Sequence, residues 1–267
     1  MMEWVRAFYD TRSAWFGPTG VFPEHRARAR DLERLCGGGR KRVLDLGAGA
    51  GGTAAAIADL GHLVTAVEIS PVRAAFAGAL AEQRRGRLTV LEADFYTAAI
   101  EGAFDVVCYW DGFGVGSDAD QRRLLRRARL EWLAAHGAML LDVFSPAFWA
   151  AQTGKRRHVE EVLRLVDGEV RTVPLDVSVM VRYDFDPASC RFLSKWWRTG
   201  CEQDAMVETV RCYSPADFLL LLEGTGLVAD RFEVAGESFD PHRDARIGPP
   251  LLARSRSYRV RLRHPSR

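Results

Sequence analysis

Short apolar segments alternate with helical patterns through the middle of the chain. Five segments have the near-continuous Val, Leu and Ile content of strands that are buried on both faces. Between them lie three stretches whose apolar residues recur at helical spacing. This alternation predicts βαβ units and a doubly wound α/β core over residues 37–145. The predicted strands are Arg42–Leu46, Leu63–Val67, Leu88–Leu91, Phe104–Tyr109 and Ala138–Phe144, and the predicted helices are Thr53–Leu60, Pro71–Gln83 and Asp120–Ala135.

Two amphipathic helices are predicted before this core, within residues 1–36. The first covers residues 2–16, where aromatic and aliphatic side chains recur on one face. The second runs from Pro23 to Leu35, and the glycines that follow it end it. Two roles stay open for these helices: a lid over a site in the core, or simple docking on the core.

The pattern after the core is typical of antiparallel strands. Residues 146–213 contain short alternating segments and predict an added antiparallel β segment, which would shape an acceptor pocket or a dimer contact. A closing unit over residues 214–267 begins with a helix that has Ser214 as its N-cap and Pro215 at its first position. The predicted antiparallel strands are Val170–Val173, Val177–Asp184, Phe192–Arg198 and Met206–Cys212, and two closing strands, Leu227–Val234 and Ser257–Leu262, flank a loop at residues 235–250.

Composition excludes several classes of protein. A length of 267 residues with 48% hydrophobic and 27% charged residues fits one globular domain. The 37 basic and 35 acidic residues leave a net charge of +2, which gives no field for nucleic acid or a membrane surface. No apolar stretch approaches the roughly 20 residues of a membrane-spanning helix. Five cysteines without a CxxC pair predict a reducing, cytoplasmic location and neither a disulfide framework nor a metal site.

A glycine-rich turn, Asp45–Gly51, joins the first predicted strand to the next helix. Glycines allow a tight turn and let a ligand approach the backbone, because no Cβ intervenes. The N-terminus of the following helix presents unpaired N–H groups to an anionic group. Gly47, Gly49 and Gly52 satisfy the G-x-G-x-x-G pattern, so a dinucleotide is one possible ligand.

Carboxylates lie at or beside the ends of the first three strands. Asp45 precedes the glycines, where a carboxylate can pair with an amino-acid ammonium group. Glu68 ends the second strand and is placed to accept hydrogen bonds from both ribose hydroxyls. Asp94 follows the third strand and is placed to accept from an adenine amine, with Ile69 and Phe95 as apolar walls for the ring.

These residues resemble the pattern of the class I S-adenosylmethionine-dependent methyltransferases. The resemblance rests on Asp45–Gly51, on the acids at Glu68 and Asp94, and on the turn at His136–Leu141 into the fifth strand. It implies a Rossmann-like sheet, S-adenosylmethionine as the cofactor and methyl transfer as the reaction. It also implies that the glycine turn passes the methionine part of the cofactor, that Asp45 holds its amino group, that Glu68 binds the ribose and that Asp94 binds the adenine. The implied cofactor-binding residues are Asp45, Gly47, Ala48, Gly49, Gly51, Glu68, Ile69, Asp94, Phe95, Tyr109 and Trp110.

The acceptor is predicted to be a small molecule, methylated on oxygen, nitrogen or carbon in a biosynthetic reaction. The fourth strand ends in Cys108–Phe113 and lacks the Asn/Asp-Pro-Pro-aromatic tetrapeptide that holds a flipped base. Two alternatives stay open from the sequence. One is a cyclase or other non-methylating enzyme that binds the same cofactor on the same fold, and the other is a nicotinamide-dependent oxidoreductase.

The residues that contact the acceptor leave a weaker trace in the sequence. Methyl transfer needs mainly positioning, and it needs a base only when the acceptor must lose a proton. The candidate bases are His158, His242 and the carboxylate of Asp111. The candidate pocket residues are the aromatic side chains of Tyr9, Trp15, Phe113, Phe144 and Trp149.

Overall fold

The computed structural model describes residues 3–18, 20–242 and 248–265. Its strands are β1 (Arg42–Leu46), β2 (Leu63–Glu68), β3 (Leu88–Glu92), β4 (Phe104–Phe113), β5 (Leu133–Phe144), β6 (Arg156–Val166), β7 (Glu169–Asp186), β8 (Arg191–Arg198), β9 (Met206–Arg211), β10 (Val228–Val234), β11 (Glu237–Phe239) and β12 (Ser257–Arg263). Its α-helices are α1 (Glu3–Phe16), α2 (Pro23–Cys36), α3 (Gly52–Asp59), α4 (Pro71–Glu82), α5 (Asp118–Arg127), α6 (Pro146–Ala150), α7 (Pro215–Leu222) and α8 (Gly248–Arg254).

The larger sheet confirms the predicted doubly wound core. Its eight strands lie in the order β11-β10-β12-β5-β4-β1-β2-β3. Strands β1 to β5 run parallel, whereas β12 and β10 join the β5 edge antiparallel. Strand β1 pairs with both β2 and β4, so the chain reverses its winding direction there. In such sheets a ligand binds outside the carboxyl ends of the strands at this reversal.

Apolar side chains cover both faces of this sheet. On one face, α2 and α3 pack against the central strands through buried residues such as Leu32 and Ile57. On the other face, α5, the helical turn after it and α7 bury Leu124, Trp132 and Phe218. Buried apolar packing therefore stabilises the sheet from both faces beneath the site.

The smaller sheet is antiparallel, in the order β6-β7-β8-β9, and confirms the predicted added β segment. Aromatic contacts join it to the core: the Trp149 and Phe192 rings lie 3.8 Å apart, and Phe192 also meets Phe144 edge-on. Strand β6 was not predicted, because charged residues on both of its faces hide the alternation. Strand β7 is one continuous strand, whereas two strands were predicted on either side of Pro174. Its pairing with β6 shifts register between Val159 and Glu161, so the ladder continues through Pro174.

Two boundaries inside the core differ from the prediction. The helix predicted over Asp120–Ala135 ends at Arg127 and continues as a single π-helical turn, Ala128–Trp132. Strand β5 begins at Leu133, so the expected turn at His136 lies within the strand. The reason is that Leu133 already pairs with Phe104 on β4, and the ladder resumes at Ala138 after a register shift.

The terminal segments follow the predicted capping. The Ser214 hydroxyl accepts from the backbone N–H of Asp217 at 3.1 Å and caps α7, as predicted. Strand β11 and helix α8 lie in or overlap the predicted loop 235–250, of which residues 243–247 are outside the described part. The first predicted helix begins at Glu3, and residue 2 is likewise outside the described part. Among the described helices, none is long and apolar enough to span a bilayer.

Candidate active site

A cavity of about 630 Å³ opens at the carboxyl ends of β1, β2 and β4. This volume is within the range of small-molecule and cofactor sites, about 300–1,000 Å³. Its floor is the glycine turn after β1. Helices α1 and α2 form one wall, and the four strands of the smaller sheet, β6 to β9, form another. Helices α1 and α2 and the smaller sheet therefore enclose the crevice that the core creates.

The glycine turn leaves room for a ligand and lets helices pack closely. Gly47 has a φ of 59°, and a Cβ there would lie 2.9 Å from the Tyr109 ring. Gly51 has a φ of 81°, and a Cβ there would lie 2.7 Å from the Cβ of Ala77 on α4. Gly47 thus keeps the cavity floor open beneath Tyr109, whereas Gly51 serves the packing of α3 on α4.

Asp45 is a buried carboxylate without a partner. It is fully buried in β1, and neither of its oxygens has a hydrogen-bond partner among the described residues. Burial raises the pKa of Asp45 to about 7; the Arg28 guanidinium opposes the rise and the Glu68 carboxylate adds to it. An uncompensated buried charge is costly. Because Asp45 lines the cavity, a cationic ligand group there would relieve this cost.

Glu68 shapes the glycine turn. One of its oxygens accepts from the backbone N–H of Gly49 at 2.7 Å, and the other accepts from that of Ser70 at 2.9 Å. The carboxylate is almost fully buried and lines the cavity. Each oxygen keeps a second lone pair, so the carboxylate can still accept from ligand hydroxyl groups.

Asp94 lies farther along the same cavity, where one of its oxygens accepts from the backbone N–H of Tyr96 at 2.8 Å. Ile69 and Phe95 also line this end. The Phe95 ring meets the Tyr109 ring edge-on at 5.4 Å. The arrangement offers a carboxylate acceptor beside apolar walls, which suits a flat heterocycle with an amine.

Asp111, a candidate base, is held by two arginines. Its carboxylate accepts hydrogen bonds from Arg28 and, at 2.6 Å, from Nη2 of Arg256. Burial alone would raise its pKa, but the two guanidinium groups outweigh burial and hold the pKa of Asp111 below its usual 3.8. A carboxylate in this state is a poor proton acceptor. The structure thus gives Asp111 the role of joining α2, β4 and the segment before β12.

A second carboxylate, Glu208 of β9, faces the cavity from the smaller sheet. The Tyr9 hydroxyl donates to its Oε1 at 2.6 Å, and the Ser194 hydroxyl donates to its Oε2 at 2.9 Å. Ser194 is in turn oriented by Nε1 of Trp196 at 2.9 Å. Burial and the Glu208 charge raise the pKa of Tyr9 well above its ordinary value, so the phenol stays protonated. The proton-accepting group of this cluster is therefore Glu208.

The structure brings most of the predicted site residues to this one cavity. Trp15, Phe113 and Gly51 do not line it: Trp15 packs on the smaller sheet, and Phe113 lies in the core. His158 is exposed on β6 and hydrogen-bonds Ser178, and His242 is exposed after β11. The predicted residues that line the cavity are Tyr9, Asp45, Gly47, Ala48, Gly49, Glu68, Ile69, Asp94, Phe95, Tyr109, Trp110, Asp111, Phe144 and Trp149.

Several cavity residues were missed from the sequence. Glu208 carried a signal, because alternation along β9 puts it on the same face as the buried Val210, where an acid is unusual. Arg12 also carried a sequence signal, since it lies one helical turn from Tyr9 and from Phe16 and therefore shares their face of α1. Arg28, Arg73 and Ser194 carried no sequence signal that separates them from surface residues.

The glycine turn and the strand-end acids belong to a known domain type. Residues 43–137 match the family model described as a methyltransferase domain. This match favours S-adenosylmethionine over a dinucleotide as the ligand of the glycine turn. A comparison with curated protein sequences finds no match.

Solved structures of methyltransferases share the fold over almost the whole chain. The CcbJ methyltransferase from Streptomyces caelestis is 21% identical with a TM-score of 0.70, covering 98% of this chain and 96% of that one. The sugar N-methyltransferase KedS8 from Streptoalloteichus sp ATCC 53650 is 20% identical with a TM-score of 0.60, covering 97% and 92%. The glycopeptide N-methyltransferase MtfA, complexed with S-adenosylmethionine, is 22% identical with a TM-score of 0.57, covering 92% and 97%.

The chain therefore carries a methyltransferase domain in residues 43–137, and it shares its fold with solved methyltransferase structures. Among the described residues Asp45 has no hydrogen-bond partner, and its place beside the open glycine turn fits a ligand that carries an ammonium group, as does the S-adenosylmethionine bound in the MtfA structure.

Proposed function

We propose that this enzyme methylates an amine nitrogen of a small molecule in a biosynthetic reaction. The observation that carries the proposal is the Glu208 carboxylate, which faces the cavity from the wall opposite the core. Two of the similar structures named above are N-methyltransferases, which supports the choice of nitrogen. The predicted oxygen and carbon acceptors are the competing outcomes of the test.

The cofactor would be held by the core. Asp45 would pair with its ammonium group, Glu68 would accept from the ribose hydroxyls, and Asp94 would accept from the adenine amine. When bound, the cofactor supplies a methyl group already activated on a sulfonium, so the protein needs no further activation of the carbon. The remaining tasks are to orient the acceptor and to take its proton.

For an amine acceptor, Glu208 would orient the acceptor and take its proton, and Tyr9 would hold the Glu208 carboxylate in place. An aliphatic amine is an ammonium ion near neutral pH, and a carboxylate that already accepts from Tyr9 and Ser194 is fixed in place to bind it. The ammonium must lose a proton before its lone pair can attack, and Glu208 is the acceptor within reach. The N–C bond then forms as the S–C bond breaks. The Glu208 charge would repel a phenolate, which disfavours an ionised oxygen acceptor.

The test is methyl transfer to paired acceptors. The enzyme would be given S-adenosylmethionine with an isotopically labelled methyl group and a panel of amines, each with the alcohol or phenol of the same skeleton. Mass spectrometry should find the label on nitrogen. Label on oxygen or carbon alone would contradict the proposal, and a product without added methyl would indicate a non-methylating reaction.

The role of Glu208 has its own variant. Glu208→Gln should lower kcat/KM for the amine about 10- to 100-fold, the scale of one hydrogen bond to a charged group. Its affinity for S-adenosylhomocysteine should not change. The control is Glu202→Gln, an exposed glutamate in the turn between β8 and β9 that pairs with Lys195 at 3.4 Å. Equal losses in both variants would contradict the assignment.

A further inference from the structure

Two arginines in the cavity wall have no carboxylate partner. Arg12 of α1 and Arg73 of α4 both line the cavity. Among the described residues, neither guanidinium lies within ion-pair distance of an acid. The Arg12 guanidinium lies 4.7 Å from the ring of Trp196. The Arg73 guanidinium lies 4.1 Å from the ring of Tyr9 and donates from Nε to the Ser13 hydroxyl at 2.9 Å.

The fold brings the Arg12 and Arg73 guanidinium groups close enough for their charges to interact. Tyr9, Arg12 and Ser13 share one face of α1, at helical spacings of three and four. Because Arg73 contacts both Tyr9 and Ser13, it lies against the face that carries Arg12. Burial and then the Arg12 charge lower the pKa of Arg73. Glu68 and Glu208 offset part of this effect from a distance, but among the described residues neither forms an ion pair with the two arginines, so an anionic ligand group would supply the missing close partner.

The arginine pair is distinct from the cation that acts on Asp45. The cation beside Asp45 is Arg28, which is already paired with Asp111. The charged and phenolic groups around Arg73 are Arg12, Tyr9, Glu68 and Glu208. Arg73 thus lies between Glu208 and the glycine turn, where its Nη1 is 3.8 Å from the position of a Cβ built on Gly49. Arg12 reaches Trp196 of the smaller sheet, in the wall proposed for the acceptor.

We propose that Arg12 and Arg73 bind a carboxylate group of the acceptor. Guanidinium groups match the planar geometry of a carboxylate and can each donate two hydrogen bonds. With Glu208 binding an ammonium group nearby, the acceptor class is an amine that also carries a carboxylate, as an amino acid does. The amine half of this assignment rests on the proposed function, whereas the carboxylate half does not.

The test uses a matched pair of probes that have no amine. Isothermal titration calorimetry would be run on the enzyme saturated with S-adenosylhomocysteine, with 3-phenylpropionate and its neutral amide, 3-phenylpropionamide. The wild type should bind the carboxylate at least about tenfold more tightly than the amide. Arg73→Gln and Arg12→Gln should each remove most of this preference, and Arg73→Lys, which keeps the charge, should retain part of it.

A matched control is available on the same helix. Arg6 of α1 is exposed and pairs with Asp10 at 3.8 Å, so Arg6→Gln should keep the full preference for the carboxylate. Circular dichroism would confirm that each variant is folded. If Arg73→Gln is not folded, Arg73→Lys takes its place in the binding comparison.

Two results would overturn the proposal. Equal binding of the two probes by the wild type, or no binding of the carboxylate, would show that the pair is not an anion site. A loss of S-adenosylhomocysteine affinity of about tenfold in Arg73→Gln, with probe binding kept, would assign the pair to the carboxylate of the cofactor. Because the probes lack an amine, either result leaves the Glu208→Gln test to decide the proposed function separately.

Discussion

Replacing Asp45 by asparagine should stabilise the cofactor-free protein at alkaline pH and weaken cofactor binding. The pKa of about 7 against an ordinary 3.8 means that the folded state holds a proton that the unfolded chain has already released. Stability therefore falls as the pH rises from about 4 to 7. The full difference corresponds to about 4 kcal/mol of unfolding free energy lost above pH 7.

The expected change in unfolding free energy for Asp45→Asn is the difference between two effects of the amide. Asn removes the charge but leaves a buried, unpaired amide that costs about 1–3 kcal/mol. The expected net gain at pH 8 is about 2 kcal/mol, measured by urea unfolding without cofactor. At pH 5, where most of Asp45 is protonated in the folded state, the gain should largely disappear. The control is Glu92→Gln, at an exposed position that ends β3, which should leave the unfolding free energy unchanged.

The same substitution should weaken binding of S-adenosylhomocysteine, which shares the amino-acid tail of the cofactor. The expected loss is about 10- to 100-fold, the worth of one charge-assisted hydrogen bond. For the wild type, affinity should rise up to about tenfold per pH unit until pH 7 and then level off, because only ionised Asp45 pairs with the ammonium. Unchanged stability at pH 8 together with unchanged affinity would refute the view of Asp45 as an unpaired charge that awaits a cation.

Two further predictions concern residues whose roles the structure revised. His158→Ala should turn over at a near-normal rate in steady-state assays, because the side chain is exposed and hydrogen-bonds Ser178 outside the cavity; a loss of about 100-fold would restore it as the base. Gly51→Ala should lower the unfolding free energy by at least about 2 kcal/mol in urea titrations, since its Cβ would lie 2.7 Å from that of Ala77 at a φ of 81°. Gly38→Ala, where a Cβ meets nothing within 4 Å, is the matched control and should cost almost nothing.

The cofactor end of the site was predictable because its geometry is local. Asp45, Glu68 and Asp94 each lie at or just beyond the end of a strand, and parallel neighbours bring those ends to one edge of the sheet. Apolar strands and helical spacing are enough to place them. The predicted cytoplasmic location and dimer contact have no such geometric counterpart and stay predictions.

The acceptor end was not predictable, since its parts come from distant segments. Tyr9 and Glu208 are 199 positions apart and meet only because the smaller sheet folds back over α1. His158, by contrast, follows β5 closely in sequence, yet its side chain does not line the cavity, although that of the neighbouring Arg157 does. Sequence distance therefore gave no guide to which polar side chains would face the acceptor.

The sequence by itself determined the sheet, the glycine turn and the three carboxylates around it, because spacing along strands and helices encodes them. Only the tertiary structure decided the direction in which the pKa values of individual acids shift. Asp45 and Asp111 both lie toward the carboxyl ends of neighbouring strands, but burial without a donor raises the pKa of Asp45, while Arg28 and Arg256 lower that of Asp111. The arginines that make this difference come from α2 and from the segment before β12, and no local pattern connects them to the strands that they serve.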